Sequence, residues 1–461
     1  MLPNKAKFNF EDLFLIFGKS ALHNIDFNVK CNSLKIDSRQ INKGDAFLAL
    51  KGENLDGHTK IIDAIKKGAS FAVADKTYYL SNKELYKDLP LIIVNNTEKA
   101  LGDIANYHRN RFNIPIIAVA GSNGKTTTKE LIATILEKKY KTLKTYKNYN
   151  NQLGVPLTLL QLDDTIEASV IEIGTNSIGE IDYLTNIVNP THGLITNIGK
   201  EHLELLGDLH GVELEETALF SYLRKNNRIA FINTDDKRLR NYAKMIENHV
   251  AYGKIKNVQL NYKYSLDNNL FPIIDFDNEG KKFTAKVNLP GYPAVINSTA
   301  AATVGLSLDI PLEDIKSALE SFKSPDDNNY GRLLIQEINN IKVINDCYNA
   351  NPSSMSSALD LLSEFETNSN KYAILGDMLE MGENSLQEHK EILKKATNTG
   401  VNIFTFGDTF NSAAKDFNSV KPFTKKDKLI QEIKETIKAN DIILVKGSRG
   451  MKMEEVITAL K

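Results

Sequence analysis

The stretch Ile114–Thr128 constrains the fold of this chain more than any other part of its sequence. Its apolar, β-branched first half predicts a buried strand, which breaks into a Gly-x-x-Gly-Lys-Thr loop before a helix begins at Lys125. Gly121 and Gly124 free the backbone so that successive N–H groups can converge on phosphate oxygens beside the positive end of the helix. The Lys125 ammonium can reach β- and γ-phosphates, and the Thr126 hydroxyl can bind Mg²⁺. The alternative is an ordinary strand-to-helix turn.

This loop is shorter than that of the ordinary P-loop ATPases. Their first glycine stands five residues before the second, and Val119 occupies that position here. The ordinary P-loop ATPases are therefore not the best comparison for this nucleotide site.

Composition places the chain among multi-domain globular proteins. Its 461 residues suffice for about three domains of roughly 150 residues each. A net charge of −1 argues against a general nucleic-acid binder. The two cysteines, Cys31 and Cys347, argue against a disulfide scaffold or zinc cluster and suit a reducing cytoplasm. We also expect no membrane span and no signal peptide, because no apolar run approaches about 18 residues and the N-terminus lacks an apolar core.

The strand and helix patterns predict a three-domain α/β protein. Short strands and helices are mixed up to about residue 97, and from there strands alternate with helices, as in a mostly parallel sheet covered by helices. Leu270–Val287 favours antiparallel strands, and a helix is expected over residues 297–307. After the turn-rich Lys323–Gly331, four strands separated by helical stretches indicate a doubly wound, Rossmann-like domain. We predict domains over residues 1–97, 98–324 and 325–461.

Polar side chains follow several of these strands, at the sheet edge where parallel α/β folds bind ligands. Glu172 ends a buried strand, where a metal partner would offset the cost of burying its charge, and a salt-bridged structural glutamate is the alternative. His202 could bind a second metal or phosphate, although a lone histidine is more often structural. Glu201 and Glu204 beside it are expected to be solvated charges.

Asparagines and an aspartate extend this pattern to other loops. Asn150 and Asn151 suit either turns or substrate hydrogen bonds. In the last predicted domain Asp346 could accept hydrogen bonds from ribose hydroxyls, and Asn349 and Asn351 could orient substrate or shape a turn. Polar groups after three strands of one sheet favour a shared cleft edge, and ordinary turn chemistry is the alternative for each of them.

Together the motifs resemble the Mur ligase family along nearly the whole chain. The segments that look like the uridine-nucleotide domain of that family are Ile36–Arg39, Gly44–Ala49 and Lys51–His58. Tyr348–Pro352 (Tyr-Asn-Ala-Asn-Pro) resembles the members that add a D-Ala-D-Ala dipeptide, and the Asp-Asn-Pro-Arg mark of the members that add the third residue is missing. Gly376–Gly382 and Lys446–Arg449 agree with this resemblance.

The resemblance implies a ligase that uses ATP to join D-Ala-D-Ala to the C-terminal carboxylate of a UDP-MurNAc-tripeptide in peptidoglycan precursor synthesis. ATP would phosphorylate the carboxylate, and the amine of the dipeptide would displace the phosphate through a tetrahedral intermediate. The protein's task is then mainly positioning and charge neutralisation. ATP would bridge the central and last domains, so that closure would assemble the site. We expect a cytoplasmic monomer.

The resemblance also assigns residues to the site. The expected catalytic residues are Lys125, Glu172, His202 and Glu216. Nucleotide contacts are expected from Gly121, Ser122, Asn123, Gly124, Lys125, Thr126, Thr127, Asn297, Arg332 and Asp346. The expected Mg²⁺ ligands are Thr126, Glu172 and His202. Substrate contacts are expected from Ser38, Arg39, Lys51, Asn150, Asn151, Asn349, Asn351, Lys446 and Arg449.

Residue 216 departs from the family pattern. The family usually has a lysine there, carbamoylated by CO₂, and a glutamate two residues later, whereas this chain has Glu216 and Ala218. Because Glu216 carries the same single negative charge as the carbamate on a shorter arm, we hypothesise that it replaces the carbamate directly or through a bridging water. The alternative is a solvated acidic helix face formed by Glu213, Glu215 and Glu216.

The segment Leu289–Asn297 departs as well. The family commonly has His-Asn-x-x-Asn there, in contact with adenine, and only Asn297 remains here, since Pro293 and Ala294 replace the first pair. We therefore expect weaker discrimination between nucleobases.

Two other functions stay open on this evidence. A third-residue-adding Mur ligase shares the opening domain, but the motif at Tyr348 disfavours it. A catalytically impaired homologue that acts as a binding protein is compatible with the two departures, whereas Lys125, Thr126, Glu172 and His202 favour an active enzyme.

Overall fold

The computed structural model describes residues 4–324 and 331–461. The chain divides into two compact units, which we call the first and the second unit. The first unit consists of Met1–Ala118, Tyr140–Gly174 and Asp182–His192, and the second of Val119–Lys139, Thr175–Ile181 and Gly193–Lys461. The phosphate loop therefore belongs to the second unit. Most of the turn-rich segment that predicts the second domain boundary lies outside the described residues.

The N-terminal region of the first unit is a small α/β arrangement. Its strands are β1 (Phe8–Asn9), β2 (Leu22–His23), β3 (Lys30–Cys31), β4 (Leu34–Lys35), β5 (Ala46–Leu48), β6 (Phe71–Asp75) and β7 (Leu91–Val94). Its helices are α1 (Phe10–Phe17), α2 (Ile61–Lys66), α3 (Lys76–Ser81), α4 (Lys83–Tyr86) and α5 (Thr97–Arg109). The sheet order is β2-β7-β6-β5-β4, parallel except for the β2–β7 pair.

The middle of the chain supplies strands and helices to both units. The strands are β8 (Ile116–Ala120), β9 (Thr142–Lys144), β10 (Ala168–Glu172), β11 (His192–Ile195), β12 (Ile229–Asn233), β13 (His249–Gly253), β14 (Leu260–Leu266), β15 (Pro272–Asn278) and β16 (Lys281–Lys286). The helices are α6 (Lys125–Leu136), α7 (Gly154–Leu159), α8 (Glu180–Val188), α9 (Leu203–Leu206), α10 (Leu209–Glu216), α11 (Ala218–Lys225), α12 (Gly291–Ser307) and α13 (Leu312–Ser321).

The phosphate-loop strand β8 has the predicted buried environment. In the first unit the strand order is β8-β10-β9, and β9 runs parallel to β10. In the second unit the order is β8-β11-β12-β13-β14-β15-β16, which is parallel from β12 to β14 and antiparallel from β14 to β16. The antiparallel end confirms the prediction for Leu270–Val287. All five residues of β8 are buried, as the apolar run predicts.

Helix α12 begins at Gly291, earlier than the predicted start at residue 297. Pro293 lies in the first turn of the helix. A proline is tolerated there because the N–H that it lacks would have no partner within the helix. The early start places Asn297 inside α12, where it is buried.

The C-terminal domain, residues 331–461, is doubly wound as predicted. Its strands are β17 (Leu334–Ile338), β18 (Ile341–Asp346), β19 (Lys371–Gly376), β20 (Asn402–Phe406), β21 (Val420–Phe423) and β22 (Ile442–Lys446). Its helices are α14 (Pro352–Glu364), α15 (Ser385–Asn398), α16 (Asp408–Ala413), α17 (Lys426–Thr436) and α18 (Glu454–Thr458). The order β17-β18-β22-β19-β20-β21 is parallel except for the β17–β18 pair.

Separate hydrophobic cores cover the two faces of this sheet. Helices α14, α15 and α16 bury their apolar residues in one core, and α17 and α18 bury theirs in the other. Strands β17 and β21 were not predicted, because both lie at sheet edges and are only partly buried. Among the described residues, no helix combines the length and the apolar character that crossing a bilayer requires.

Two leucines on neighbouring helices give a matched test of the core around β11. Leu219 of α11 is fully buried, and a Cβ added to Gly193 of β11 would lie 3.1 Å from its Cδ1 atom. We expect Leu219→Ala to lower the free energy of unfolding by about 2–5 kcal/mol, because the cavity cannot collapse against the sheet. Leu214→Ala on the exposed side of α10 should change it by less than about 0.5 kcal/mol. Urea denaturation of both variants checks this, and equal losses would contradict the assigned packing.

Candidate active site

The phosphate loop joins β8 to α6, and both of its glycines are required by geometry. Gly121 has a φ of +112°, and an added Cβ would lie 2.3 Å from Thr196 Oγ1. Gly124 has a φ of +81°, and an added Cβ would lie 2.6 Å from Asn297 Oδ1. Only glycine combines a left-handed backbone with so close a neighbour. Asn297 therefore packs on the loop from α12.

The N–H groups at the start of this loop are used within the protein. Gly121 N donates to Glu216 Oε2 at 2.7 Å, and Ser122 N donates to the carbonyl oxygen of Asn197 at 2.9 Å. Asn123 N donates to Asn197 Oδ1 at 3.2 Å. These three N–H groups have internal partners in the ligand-free protein, and the expected nucleotide contacts of Gly121, Ser122 and Asn123 stay a prediction. The first turn of α6 follows the loop and carries Thr126 and Thr127 at the positive end of the helix.

Lys125 lies folded over the loop. Its Nζ atom donates to the carbonyl oxygen of Gly121 and lies 3.6 Å from Glu201 Oε2. The ammonium is thus held at the loop, close to a carboxylate, and little of the side chain is exposed.

Glu216 ends α10 and lies beneath the loop with no exposure to solvent. Its Oε2 atom accepts from Gly121 N, and among the described residues its Oε1 atom has no hydrogen-bond partner. Burial raises the pKa of Glu216 to about 8, with Glu201 adding to the rise and Lys125 and the Gly121 N–H opposing it. A carboxyl in this environment favours a bound proton or cation.

The solvated acidic face proposed as the alternative for Glu216 is not what the structure contains. Glu215 is also buried, and it accepts hydrogen bonds from Gly179 N at 2.6 Å and Ile181 N at 2.7 Å. Glu213 is more exposed and pairs with Arg238. One short helix therefore carries three glutamates with three different environments.

Glu201 is buried, although its sequence context predicts a solvated charge. Its Oε2 atom lies 3.6 Å from Lys125 Nζ and 3.9 Å from His202 Nε2. Among the described residues its Oε1 atom has no hydrogen-bond partner. Glu204 is exposed, as predicted. Glu201, Glu216 and Lys125 thus form one charged cluster at the loop.

His202 lies at the edge of this cluster with an unusual backbone. Its φ of +46° is rare for a residue other than glycine. The Nδ1 atom lies 2.6 Å from Glu380 Oε2, and the Nε2 atom lies on the side of Glu201. His202 thus lies beside Glu201, which lies beside Lys125 in the cluster that contains Glu216.

Glu172 and Asn150 are brought together in the first unit. Glu172 is buried at the end of β10, and its Oε1 atom accepts from Asn150 Nδ2 at 2.9 Å. Asn151 instead shapes the turn before α7, because its Oδ1 atom accepts from Gly154 N at 2.9 Å. Of the two predicted substrate-binding asparagines, one orients a buried carboxylate and the other has a local structural bond.

The oxygen donors at these positions fit Mg²⁺, which prefers one or two carboxylates plus water and substrate phosphates. The Oε1 atoms of Glu201 and Glu216 are buried carboxylate oxygens without a hydrogen-bond partner in the described part of the chain. Within residues 4–324 and 331–461, however, no group of three or more His, Cys, Asp or Glu side chains could hold a metal ion. The donor chemistry fits, and substrate phosphates would have to complete the coordination.

In the C-terminal domain two predicted ligand-binding residues bind each other. Lys446 Nζ donates to Asp346 Oδ2 at 2.5 Å, and Asp346 Oδ1 accepts from Leu333 N at 3.2 Å. Both side chains are buried. Each group thus has an internal partner in the ligand-free protein, and the roles of Asp346 toward ribose and of Lys446 toward substrate stay predictions. Lys446 also donates to the carbonyl oxygen of Asn349.

Other predicted contacts of this domain are also engaged. Asn351 caps α14 through a 2.8 Å bond from Ser354 N to its Oδ1 atom, and its Nδ2 atom donates to Asn123 Oδ1 at 3.0 Å. The Arg332 guanidinium lies 3.8 Å from the centre of the Tyr348 ring. Arg449 is exposed and lies 3.3 Å from Glu454. Asn351 thus links the C-terminal domain to the phosphate loop.

The N-terminal region holds a cavity of about 460 Å³. Lys51, a predicted substrate contact, lines it together with Asp56, His58, Asp75 and Asn96. The buried His58 accepts at Nε2 from Asp75 N at 3.0 Å, while its Nδ1 atom lies 2.6 Å from Asp56 Oδ1. His58 was not selected as a site residue, although it ends one of the motifs quoted above.

Ser38 and Arg39 are not among the residues that line this cavity. They form a 3₁₀ turn, in which the exposed Arg39 pairs with Asp37 at 2.8 Å and lowers the pKa of Asp37 to about 2. Their predicted role as substrate contacts therefore stays a prediction.

Comparison with known proteins gives the class. Family models match three stretches: "Mur ligase family, catalytic domain" over residues 30–109, "Mur ligase middle domain" over 119–305 and "Mur ligase, glutamate ligase domain" over 331–449. A UDP-N-acetylmuramoyl-tripeptide–D-alanyl-D-alanine ligase of Buchnera aphidicola subsp. Acyrthosiphon pisum is 37% identical over 442 residues, 93% of each chain.

Solved structures agree with the sequence relatives. MurF of Acinetobacter baumannii superposes with a TM-score of 0.88 at 28% identity, over 99% of both chains. The MurF ligase of Thermotoga maritima in complex with ADP superposes with a TM-score of 0.81 at 26% identity, over 93% of this chain and 96% of that one. The fold and the phosphate-loop site thus define an ATP-dependent ligase of α/β architecture. The chain belongs to the Mur ligase family.

The contact between Gly124 and Asn297 can be tested with a matched glycine. Gly124→Ala combines a left-handed φ with a clash, whereas Gly207→Ala has a similar φ of +80° and no neighbour within 4 Å. We expect both variants to lose roughly 1 kcal/mol of stability from backbone strain. Only Gly124→Ala should also weaken ATP binding, by at least tenfold, because the first turn of α6 must shift. Calorimetric titration with ATP checks this, and equal affinities would contradict the role of the loop.

The raised pKa of Glu216 predicts how pH changes stability. Between its ordinary value of 4.5 and its folded value of about 8, the folded state binds a proton that the unfolded chain has released. This group therefore lowers stability as pH rises through that window. We expect Glu216→Gln to gain thermal stability relative to wild type as pH rises from 5 to 8.5, in EDTA. Glu213→Gln, on the same helix, should show a much smaller pH-dependent difference, and a flat difference for Glu216→Gln would contradict the assignment.

Proposed function

We propose that this protein is an ADP-forming ligase that uses ATP to join D-Ala-D-Ala to the C-terminal carboxylate of UDP-MurNAc-tripeptide in peptidoglycan precursor synthesis. The observation that carries the proposal is the likeness to a ligase of that name over 93% of both chains. We also propose a cytoplasmic location, a monomeric working form, and domain ends at residues 97 and 324.

The tripeptide carboxylate is a poor electrophile, and the reaction first has to convert it into a good one. The γ-phosphoryl group of ATP is transferred to the tripeptide carboxylate, which yields ADP and an acyl phosphate. The dipeptide amine attacks the carbonyl carbon, and the tetrahedral intermediate collapses with release of inorganic phosphate. The nitrogen loses its proton, and an amide remains.

The residues at the loop suit the first of these steps. The first turn of α6 and the Lys125 ammonium supply positive charge where the phosphates lie. In our proposal Thr126, Glu172 and His202 would hold Mg²⁺, which neutralises phosphate charge when bound. Asn297 packs on Gly124, which supports its predicted contact with the nucleotide.

Glu216 has a specific place in this proposal. The resemblance implies a carbamoylated lysine at this position, and the buried Glu216 would supply a negative charge there without CO₂ once a bound cation takes the place of its proton. Glu201 adds a second carboxylate beside Lys125, at 3.6 Å. Together they provide the charge that the family pattern places on the carbamate and on the glutamate missing at Ala218.

An assay of phosphate release tests the function. Wild-type protein with ATP, Mg²⁺ and UDP-MurNAc-tripeptide should release phosphate when D-Ala-D-Ala is added. It should not do so with D-Ala alone, or with a free diamino acid and UDP-MurNAc-dipeptide. Lys125→Ala should reduce the rate at least about 100-fold, because a preorganised charge at the transferring phosphate is lost. Release that is independent of the dipeptide would contradict the proposal.

The role of Glu216 predicts indifference to CO₂. We expect wild-type activity to be unchanged in CO₂-depleted buffer with or without bicarbonate. Glu216→Ala should lose at least about tenfold in kcat, since a charge close to the reacting phosphates is removed. Glu213→Gln, which alters a partly exposed charge on the same helix, is the matched control. Rescue of depleted wild-type enzyme by bicarbonate, or full activity of Glu216→Ala, would contradict this role.

A further inference from the structure

The segment that carries His202 packs into the core of the C-terminal domain. Leu203 and Leu206 of α9 are buried in the same cluster as Met378 and Met381. Gly382 makes the approach close, because an added Cβ there would lie 3.1 Å from Glu204 Cα. The position of α9 therefore depends on the docked C-terminal domain.

The His202 ring is then fixed by one residue of that domain. Its Nδ1 atom lies 2.6 Å from Glu380 Oε2, and Glu204 N donates to the carbonyl oxygen of Glu380 at 3.2 Å. With Nδ1–H donating to a carboxylate, the lone pair of the ring is on Nε2, on the side of Glu201 and Lys125. This is the tautomer that a metal contact through Nε2 requires.

The backbone on both sides of this contact is unusual. His202 has a φ of +46° and Glu380 a φ of +62°. Left-handed conformations of non-glycine residues persist where the surroundings fix them, and they concentrate at functional sites. Two such residues that face each other hold this contact in a defined geometry.

The exposure of Glu380 indicates that its contact with His202 orients the imidazole ring rather than stabilises the docked domain. More than half of the Glu380 side chain is exposed, so its contact with His202 contributes little to holding the domain in place. Docking is provided by the buried leucines and by an ion pair between Lys200 and Glu388, at 2.5 Å. Glu388 is buried and does not contact His202.

We propose that Glu380 is a positioning residue for the ligase reaction, which aims His202 Nε2 at the phosphate site only when the C-terminal domain is docked. The inference rests on the proposed function and deepens it. Domain docking and completion of the phosphate site become one event, so that the acyl phosphate forms only where water is excluded.

Kinetics separate positioning from docking. Glu380→Met keeps the length of the side chain and removes the acceptor, and we expect kcat to fall about 10- to 100-fold while KM for D-Ala-D-Ala changes less than about threefold. Glu380→Gln keeps an acceptor oxygen and should recover part of the loss. Glu388→Met removes the ion pair between Lys200 and Glu388 at the same junction and should keep kcat within about threefold. An equal loss in Glu388→Met would overturn the proposal.

A spectroscopic measurement makes the test independent of the peptide substrates. In ¹⁵N-histidine-labelled protein, wild type and Glu388→Met should show His202 with its proton on Nδ1, assigned by loss of the signal in His202→Gln. Glu380→Met should lose this tautomer preference. An unchanged His202 signal and wild-type kcat in Glu380→Met would overturn the proposal. If the proposed function itself fails, wild type shows no dipeptide-dependent phosphate release although its His202 signal is present.

Discussion

The candidate site depends on one hydrogen bond, from Gly121 N–H to the carboxylate of Glu216, which has no exposure to solvent. A buried carboxylate is unfavourable unless charge and hydrogen bonds compensate it. Here one N–H group and the Lys125 ammonium compensate two carboxylates, those of Glu216 and Glu201. The two carboxylates outnumber the Lys125 ammonium, which agrees with the raised pKa of Glu216 and with a site that can take up a cation.

This bond also decides how the phosphate loop can work. Because Gly121, Ser122 and Asn123 direct their N–H groups into the protein, the loop is held rigid by the segment after β11 and by the end of α10. In the proposed function, the first turn of α6 and Lys125 bind the phosphates. The two glycines of this short loop therefore allow close packing against Thr196 and Asn297, and the N–H group of Gly121 is already bonded to Glu216.

The fold was predictable where a pattern is local, and less so where burial is decided by distant contacts. The phosphate-loop strand, the antiparallel end of the sheet and the doubly wound last domain all carry local signals and are confirmed. The edge strands β17 and β21 lack an apolar run because they are only partly buried. Glu201 was predicted to be solvated because no local sequence pattern indicates that the following helix, α9, packs against the C-terminal domain. Asp346 and Lys446 lie 100 residues apart, and no local pattern shows that they pair.

The resemblance was most useful where motifs are long and least useful for single side chains. It placed Glu216 at a departure from the family pattern, and only the structure shows that this residue is buried. It also assigned Asn351 to substrate, whereas its amide both caps α14 and bonds to Asn123. Site residues at domain junctions often have a structural bond that sequence comparison does not reveal.

The burial of Leu203, Leu206 and Val212 in the core of the C-terminal domain has a consequence for how such a gene can evolve. A hybrid that joined the central part of this chain to the last domain of a relative would bring together two halves of one hydrophobic core. Recombination at the natural linker would therefore be penalised unless residues 203–212 travelled with the domain they pack against. The segment that must be exchanged together in such a hybrid therefore includes residues 203–212 as well as the C-terminal domain.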